Sequence, residues 1–167
     1  MTTHHKRSSP TRQASLLFLV EEDSILLAMK KRGFGVGRWN GVGGKPEVGE
    51  SIEQTASREC TEEIGVTPEV SKHVATLDFF FSTTKAHYDQ QVIVYLCTKW
   101  HGEPVETEEM KPQWFKISDI PYDSMWKDDR YWLPKVLADN FVDASFQFDD
   151  DDNIIDHEVV SKPPSRQ

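Results

Sequence analysis

Three carboxylates, Glu59, Glu62 and Glu63, lie within the stretch GGKPEVGESIEQTASRECTEEIGV, residues 43 to 66. At helical positions i, i+3 and i+4 they crowd one face, where like charges oppose each other. Ile52, Ala56, Cys60 and Ile64 step by four along the same helix as an apolar stripe, and Glu63 falls at its edge. Carboxylates beside a core need a positive partner, and no lysine is interleaved among them. Hard divalent cations take oxygen ligands, and Mg²⁺ binds a few carboxylates together with substrate phosphates and water. A divalent cation, Mg²⁺ or Mn²⁺, is the expected partner. The preceding loop agrees, because Gly43 and Gly44 allow close backbone approach and can aim a carbonyl at a metal. Lys45 can meet a phosphate as a point charge. A P-loop is excluded: Pro46 follows Gly44-Lys45 where Ser or Thr is required, and Trp39 stands where the first glycine belongs.

The elements that must position these residues are readable in part. Ser51 followed by Gln54 makes a capping box and Gly65 suits a helix C-cap, so a helix is predicted over about 51–64. The runs 15–20 and 24–32 flank Glu21-Glu22-Asp23 as a predicted hairpin. Residues 33–44 form a Gly-rich loop. Strands are predicted over 74–81 and 91–100 around a polar loop holding His87, Tyr88 and Asp89, and over 113–117. A second helix is predicted over 131–140, with Pro134 in its first turn. Two closing strands flank the run Asp149 to Asp152, read as a solvated turn because it lacks the Gly and terminal Glu of an EF-hand loop. Strands and helices alternate without a βαβ rhythm, so the fold class is α+β. One domain is expected over 14–160, with disordered tails at 1–13, which holds His4 and His5, and at 161–167. The net charge of −9 argues against a nucleic-acid polymer or an anionic membrane as partner. No apolar run approaches the ~20 residues of a membrane span, and the N-terminus lacks a secretory apolar region. Cys60 and Cys97 form no CxxC pair, so a reduced, cytoplasmic protein is expected.

Gly44, Glu50 and the run Arg58-Glu59-Cys60-Thr61-Glu62-Glu63-Ile64-Gly65-Val66 resemble, position by position, the signature of the Nudix hydrolases. Cys60 fills a slot that is usually aliphatic. The resemblance implies an α/β/α sandwich with a mixed sheet and a loop–helix–loop catalytic element. It implies Mg²⁺-dependent hydrolysis of nucleoside diphosphates linked to another group. Glu59, Glu62 and Glu63 become metal ligands, Gly43 offers its carbonyl, Arg58 orients the carboxylates and Glu50 supports them. Glu109 is a further candidate metal carboxylate. Either Glu59 or Glu63 would serve as general base for water attacking the β-phosphorus.

Residues 29–45, 104–115 and 125–134 also resemble the animal oxidised-purine nucleoside triphosphatases, within a likeness running from about Ser15 to Val160. That subgroup implies hydrolysis of 8-oxo-dGTP and 2-oxo-dATP to monophosphate and pyrophosphate by a monomer. The residues support this on their own chemistry. Asp128 and Asp129, beside Trp126 in a predicted loop, would repel if both faced one pocket, and one would keep a proton. The pair then offers a donor and an acceptor to a purine edge. Trp126 supplies a stacking face, Asn40 reads another edge, Phe34, Phe79 and Phe81 wall the pocket, and Lys30 reaches the sugar or phosphate end. Ser15, Gly44 and Lys45 complete the substrate set. Ser15 stands where the subgroup has Thr, Lys127 where it has Pro, and the loop Ser82 to Gln90 carries His87, Tyr88 and Gln90 in place of apolar lining. The rival expectations are a Nudix enzyme acting on ADP-ribose or dinucleotide polyphosphates, and a non-catalytic nucleotide-binding module. The first would not need the Asp pair, and the second predicts eroded carboxylates.

Overall fold

The computed structural model of the chain describes residues 10–164. Eight strands run β1 (Gln13–Glu21), β2 (Ser24–Lys30), β3 (Trp39–Asn40), β4 (Thr67–Phe80), β5 (Gln90–His101), β6 (Met110–Lys116), β7 (Phe141–Phe148) and β8 (Ile154–Lys162). Helix α1 (Ile52–Ile64) follows β3, and α2 (Asp129–Leu137) precedes β7. The sheet order is β3-β2-β1-β5-β4-β7-β8, with β6 pairing to β2. It is mixed: β1 with β5 and β4 with β7 are parallel, and the remaining pairs are antiparallel.

Strand alternation explains the layering, because successive side chains point to opposite faces. Leu17 and Leu19 of β1, with Ile93, Tyr95 and Cys97 of β5, pack on one face against Ala56, Cys60 and Ile64 of α1. Phe18, Val92 and Val94 point the other way, into a core shared with Trp132, Leu133 and Val136 of α2. One sheet therefore lies between two helices, as the α+β sandwich requires. The boundaries of α1 are chemical. The Ser51 hydroxyl accepts from the Gln54 amide at 3.1 Å, and the Gln54 side chain accepts from the Ser51 amide at 2.9 Å. Gly65, at φ 74°, ends the helix and donates its amide to the Thr61 carbonyl at 3.0 Å.

Several sequence expectations need correction. Helix α2 begins at Asp129, so Asp129 is helical and Pro134 sits in the second turn, past the expected first. The acidic start carries no apolar periodicity, yet carboxylates suit a helix N-terminus. The carbonyl that Pro134 leaves unbonded belongs to Arg130, an exposed residue. Strand β6 starts at Met110 and includes Pro112, which is tolerated because β6 pairs with β2 alone among the described residues. The polar loop contains a 3-10 segment, Thr83–Tyr88. Strands β1 and β8 run one and two residues into the expected tails; His4 and His5 lie outside the described residues.

Candidate active site

Arg58, one turn into α1, gathers the acidic residues. Its guanidinium donates from Nε and Nη2 to both oxygens of Glu50, at 2.8 and 3.0 Å. Nη1 reaches Glu59 at 2.9 Å and Glu62 at 3.1 Å, and Nη2 also bonds the Lys45 carbonyl at 3.1 Å. The planar fork suits this work, since it can meet a carboxylate with two parallel bonds. Glu50 is held down to about 2 by Arg58, with help from the Thr55 hydroxyl at 2.7 Å. Arg58 therefore answers part of the charge problem, and it ties the helix to the loop that carries Lys45.

It does not answer the rest. Glu63 is only 4% exposed, and its Oε2 is buried without a hydrogen-bond partner among the described residues. Burial, then the facing Glu59 carboxylate, pushes Glu63 up to about 9, and Glu109 adds to the push. Glu109 thus lies within electrostatic reach of Glu63, although β6 and α1 are distant in sequence. Arg32 approaches Glu109 from the solvent side at 3.5 Å. A buried, orphaned carboxylate oxygen facing two further carboxylates fits a hard divalent cation. Among the described residues no three such groups are gathered about one point, and Arg58 holds Glu59 and Glu62.

The glycines earn their places by contact. A Cβ on Gly43 would lie 1.8 Å from the Ser15 carbonyl oxygen, and one on Gly44 would lie 2.6 Å from the Glu59 carboxyl carbon. Ser15, expected to touch substrate, pins this loop: its amide donates to the Gly44 carbonyl at 2.8 Å, and its hydroxyl accepts from the Gly44 amide at 3.3 Å. The Gly44 carbonyl is thereby committed, which leaves that of Gly43 as the candidate backbone ligand.

Beside this loop opens a cavity of about 310 Å³. Ser15, Lys30, Phe34, Asn40, Gly43, Gly44, Lys45, Phe79, Phe81, Trp126, Asp128 and Asp129 all line it. The substrate-binding residues read from the sequence are thus brought together, whereas the carboxylates of α1 and Glu109 stand outside its lining. Asp128 and Asp129 are 3% and 2% exposed. Asp128 Oδ2 accepts from Trp132 Nε1 at 2.8 Å, while Asp129 Oδ2 has no partner among the described residues. Burial pushes Asp128 up to about 6; burial and the Asp128 charge drive Asp129 well above the ordinary carboxylate range. Both carboxyls are thus pushed toward the protonated form, Asp129 more strongly than Asp128. Asn40 accepts from the Gly41 amide at 2.8 Å, which fixes the orientation of its side-chain amide.

The sequence profile of the NUDIX domain matches residues 10–136. The chain belongs to the Nudix family. Nudix relatives named oxidized purine nucleoside triphosphate hydrolase occur in mouse, at 40% identity over 90% of this chain and 96% of that protein, and in zebrafish, at 41% over 87% and 92%. The crystal structure of a MutT protein from Bacillus halodurans shares the fold, with a TM-score of 0.78, 24% identity and coverage of 89% and 97%. Nudix hydrolases work with divalent metal ions on small nucleotides, and no helix among the described residues is long and apolar enough to cross a membrane. In this Nudix chain the cavity also contains Arg12, Arg38, Tyr88 and Gln90. Tyr88 and Gln90 stand out in the sequence only as departures from apolar lining. Arg12 and Arg38 carry no signal in the sequence, because isolated cations near loops give no local pattern. His87 is not among the lining residues.

Proposed function

We propose that this Nudix hydrolase cleaves oxidised purine nucleoside triphosphates, 8-oxo-dGTP and 2-oxo-dATP among them, to monophosphate and pyrophosphate. The observation that carries the reading is the buried Asp128–Asp129 pair at an aromatic cavity beside an acidic helix; we infer that the pair shares one proton. The mouse and zebrafish relatives, matched over nearly their full length, support it. Neutral Asp129 donates to an acceptor on the purine edge, and ionised Asp128, oriented by Trp132, accepts from a ring or exocyclic N–H. Exchange of the proton between the two lets one cavity take oxidised guanine or oxidised adenine. Trp126 offers a stacking surface, and Lys30 and Lys45 meet the sugar–phosphate chain. Mg²⁺, held by Glu59, Glu62, Glu63 and Glu109 with the Gly43 carbonyl, supplies charge neutralisation at the phosphates and a more acidic water when bound. Glu59 or Glu63 takes the proton from the water that attacks the β-phosphorus, while Arg58 keeps the carboxylates in place. Both cysteines are free and buried, which suits a monomer working in the reducing cytoplasm. The test is turnover of 8-oxo-dGTP, 2-oxo-dATP and dGTP with products resolved. Pyrophosphate is expected, and inorganic phosphate as the primary product would overturn the cleavage position.

A further inference from the structure

The run Asp149 to Asp152 is the expected turn, with Asp150 and Asp151 exposed, and it is also tied to neighbouring segments. Asp149 builds the turn itself, accepting from the amides of Asp151 and Asn153 at 2.9 Å each. The next residues face outward to three other segments. Asp152 pairs with Arg38 of the Gly-rich loop at 3.4 Å and with Lys85 at 3.8 Å. Asp150 accepts from Ser82, from Thr84 at 2.9 Å, and through its carbonyl from Lys85 at 2.9 Å, all in the 3-10 region. Asn153 accepts from Lys127, beside Trp126. Each of these segments contributes one aromatic ring to the cavity: Phe34, Tyr88 and Trp126. Phe34 stacks on Tyr88 at 4.4 Å and 11°, and lies 5.1 Å from Trp126. Arg38 lies over the Trp126 ring at 4.0 Å while it pairs with Asp152. Phe148, the last residue before the turn, packs on Phe81 at 5.2 Å and on Trp126 at 6.1 Å.

We propose that the β7–β8 turn is the positioning element of the base pocket: Asp150, Asp152 and Asn153 tie down the segments carrying Phe34, Tyr88 and Trp126 and so set the spacing in which a purine is gripped. The inference rests on the nucleotide reading above for its ligand, and on the ties themselves for its geometry. Lys127 and Tyr88, two departures from the resembling subgroup, belong to this arrangement. It acts on stacking, which every purine offers. The edge-reading pair Asp128–Asp129 sits elsewhere in the cavity.

The experiment compares the wild type with the double variant Asp150→Asn, Asp152→Asn. Asp149 keeps the turn, and Asn tolerates the left-handed φ of 60° at position 152. Each tie is modest and at most partly buried, but those from Arg38, Lys85, Ser82 and Thr84 to the two side chains lose their charged acceptor together, so KM for 8-oxo-dGTP should rise by about 3- to 10-fold. The rise should be equal for dGTP, leaving kcat and the oxidised-over-normal ratio within about 2-fold, since stacking is sequence-tolerant. Without any nucleotide, trypsin should cleave after Arg38 and Lys85 at least about 3-fold faster in the variant, because local opening governs proteolysis. Unchanged trypsin cleavage would overturn the clasp whatever the substrate proves to be. Faster cleavage with unchanged KM would overturn its role in gripping the base. If wild-type enzyme prefers another nucleotide, the oxidised-purine reading falls, and KM for that nucleotide reads the clasp in the same way.

Discussion

Replacing Asp128 by Asn should stabilise the protein at neutral pH and damage it as an enzyme. Asp128 is buried beside a second carboxyl, and its pKa rises from the ordinary 3.8 to about 6. The folded protein holds that proton more tightly than the unfolded chain, so the stabilisation is complete below pH ~3.8 and is lost as the pH climbs through about 6. At roughly 1 kcal/mol per pH unit, the loss is roughly 2 kcal/mol at pH 5, where mainly the unfolded chain ionises, and roughly 3 kcal/mol at pH 8. Asn never ionises, and its carbonyl can still accept from Trp132 Nε1. Urea denaturation should therefore show Asp128→Asn ahead of wild type at pH 5, by roughly 2 kcal/mol, and further ahead at pH 8, by roughly 3 kcal/mol. The same variant swaps a charged acceptor for a neutral one, so kcat/KM for oxidised purines should fall ~10- to 100-fold. A stability gap that stays flat between pH 5 and pH 8, or that reverses, would refute the assignment of Asp128 as the ionising member of a buried pair.

Glu59→Gln and Glu63→Gln should each lower kcat by at least ~100-fold, the size expected on losing an acid–base or metal-supported step, and excess chelator should abolish wild-type turnover. Glu63→Gln should leave the fold intact, because it removes a buried charge whose Oε2 has no hydrogen-bond partner among the described residues; urea midpoints check this. Gly44→Ala places a methyl 2.6 Å from the Glu59 carboxyl carbon, the end of a flexible side chain, so activity should drop while Tm barely moves.

Much of the catalytic element was legible because its signals are local. The capping box, the C-cap glycine and the four-residue apolar step define α1 within one segment, and the structure adds only that Arg58 draws Glu50, Glu59 and Glu62 together. The Asp pair was legible through its neighbour Trp126, but its placement at the head of α2 was not. Helix prediction leans on apolar periodicity, and an acidic first turn has none. The ties of the β7–β8 turn were invisible for a different reason: Arg38 and Asp152 are 114 positions apart. An acidic run of that length signals only that cations must be found somewhere, and the fold decides which.

The most direct measurement is kcat/KM of the wild-type protein with Mg²⁺ for 8-oxo-dGTP, 2-oxo-dATP and dGTP, run side by side. Oxidation changes the donors and acceptors on the purine edge, and each hydrogen bond to a charged group is worth ~1.5–3 kcal/mol, so both oxidised substrates should exceed dGTP by at least ~10-fold. Equal values for all three would contradict the claim that Asp128 and Asp129 read the oxidised base.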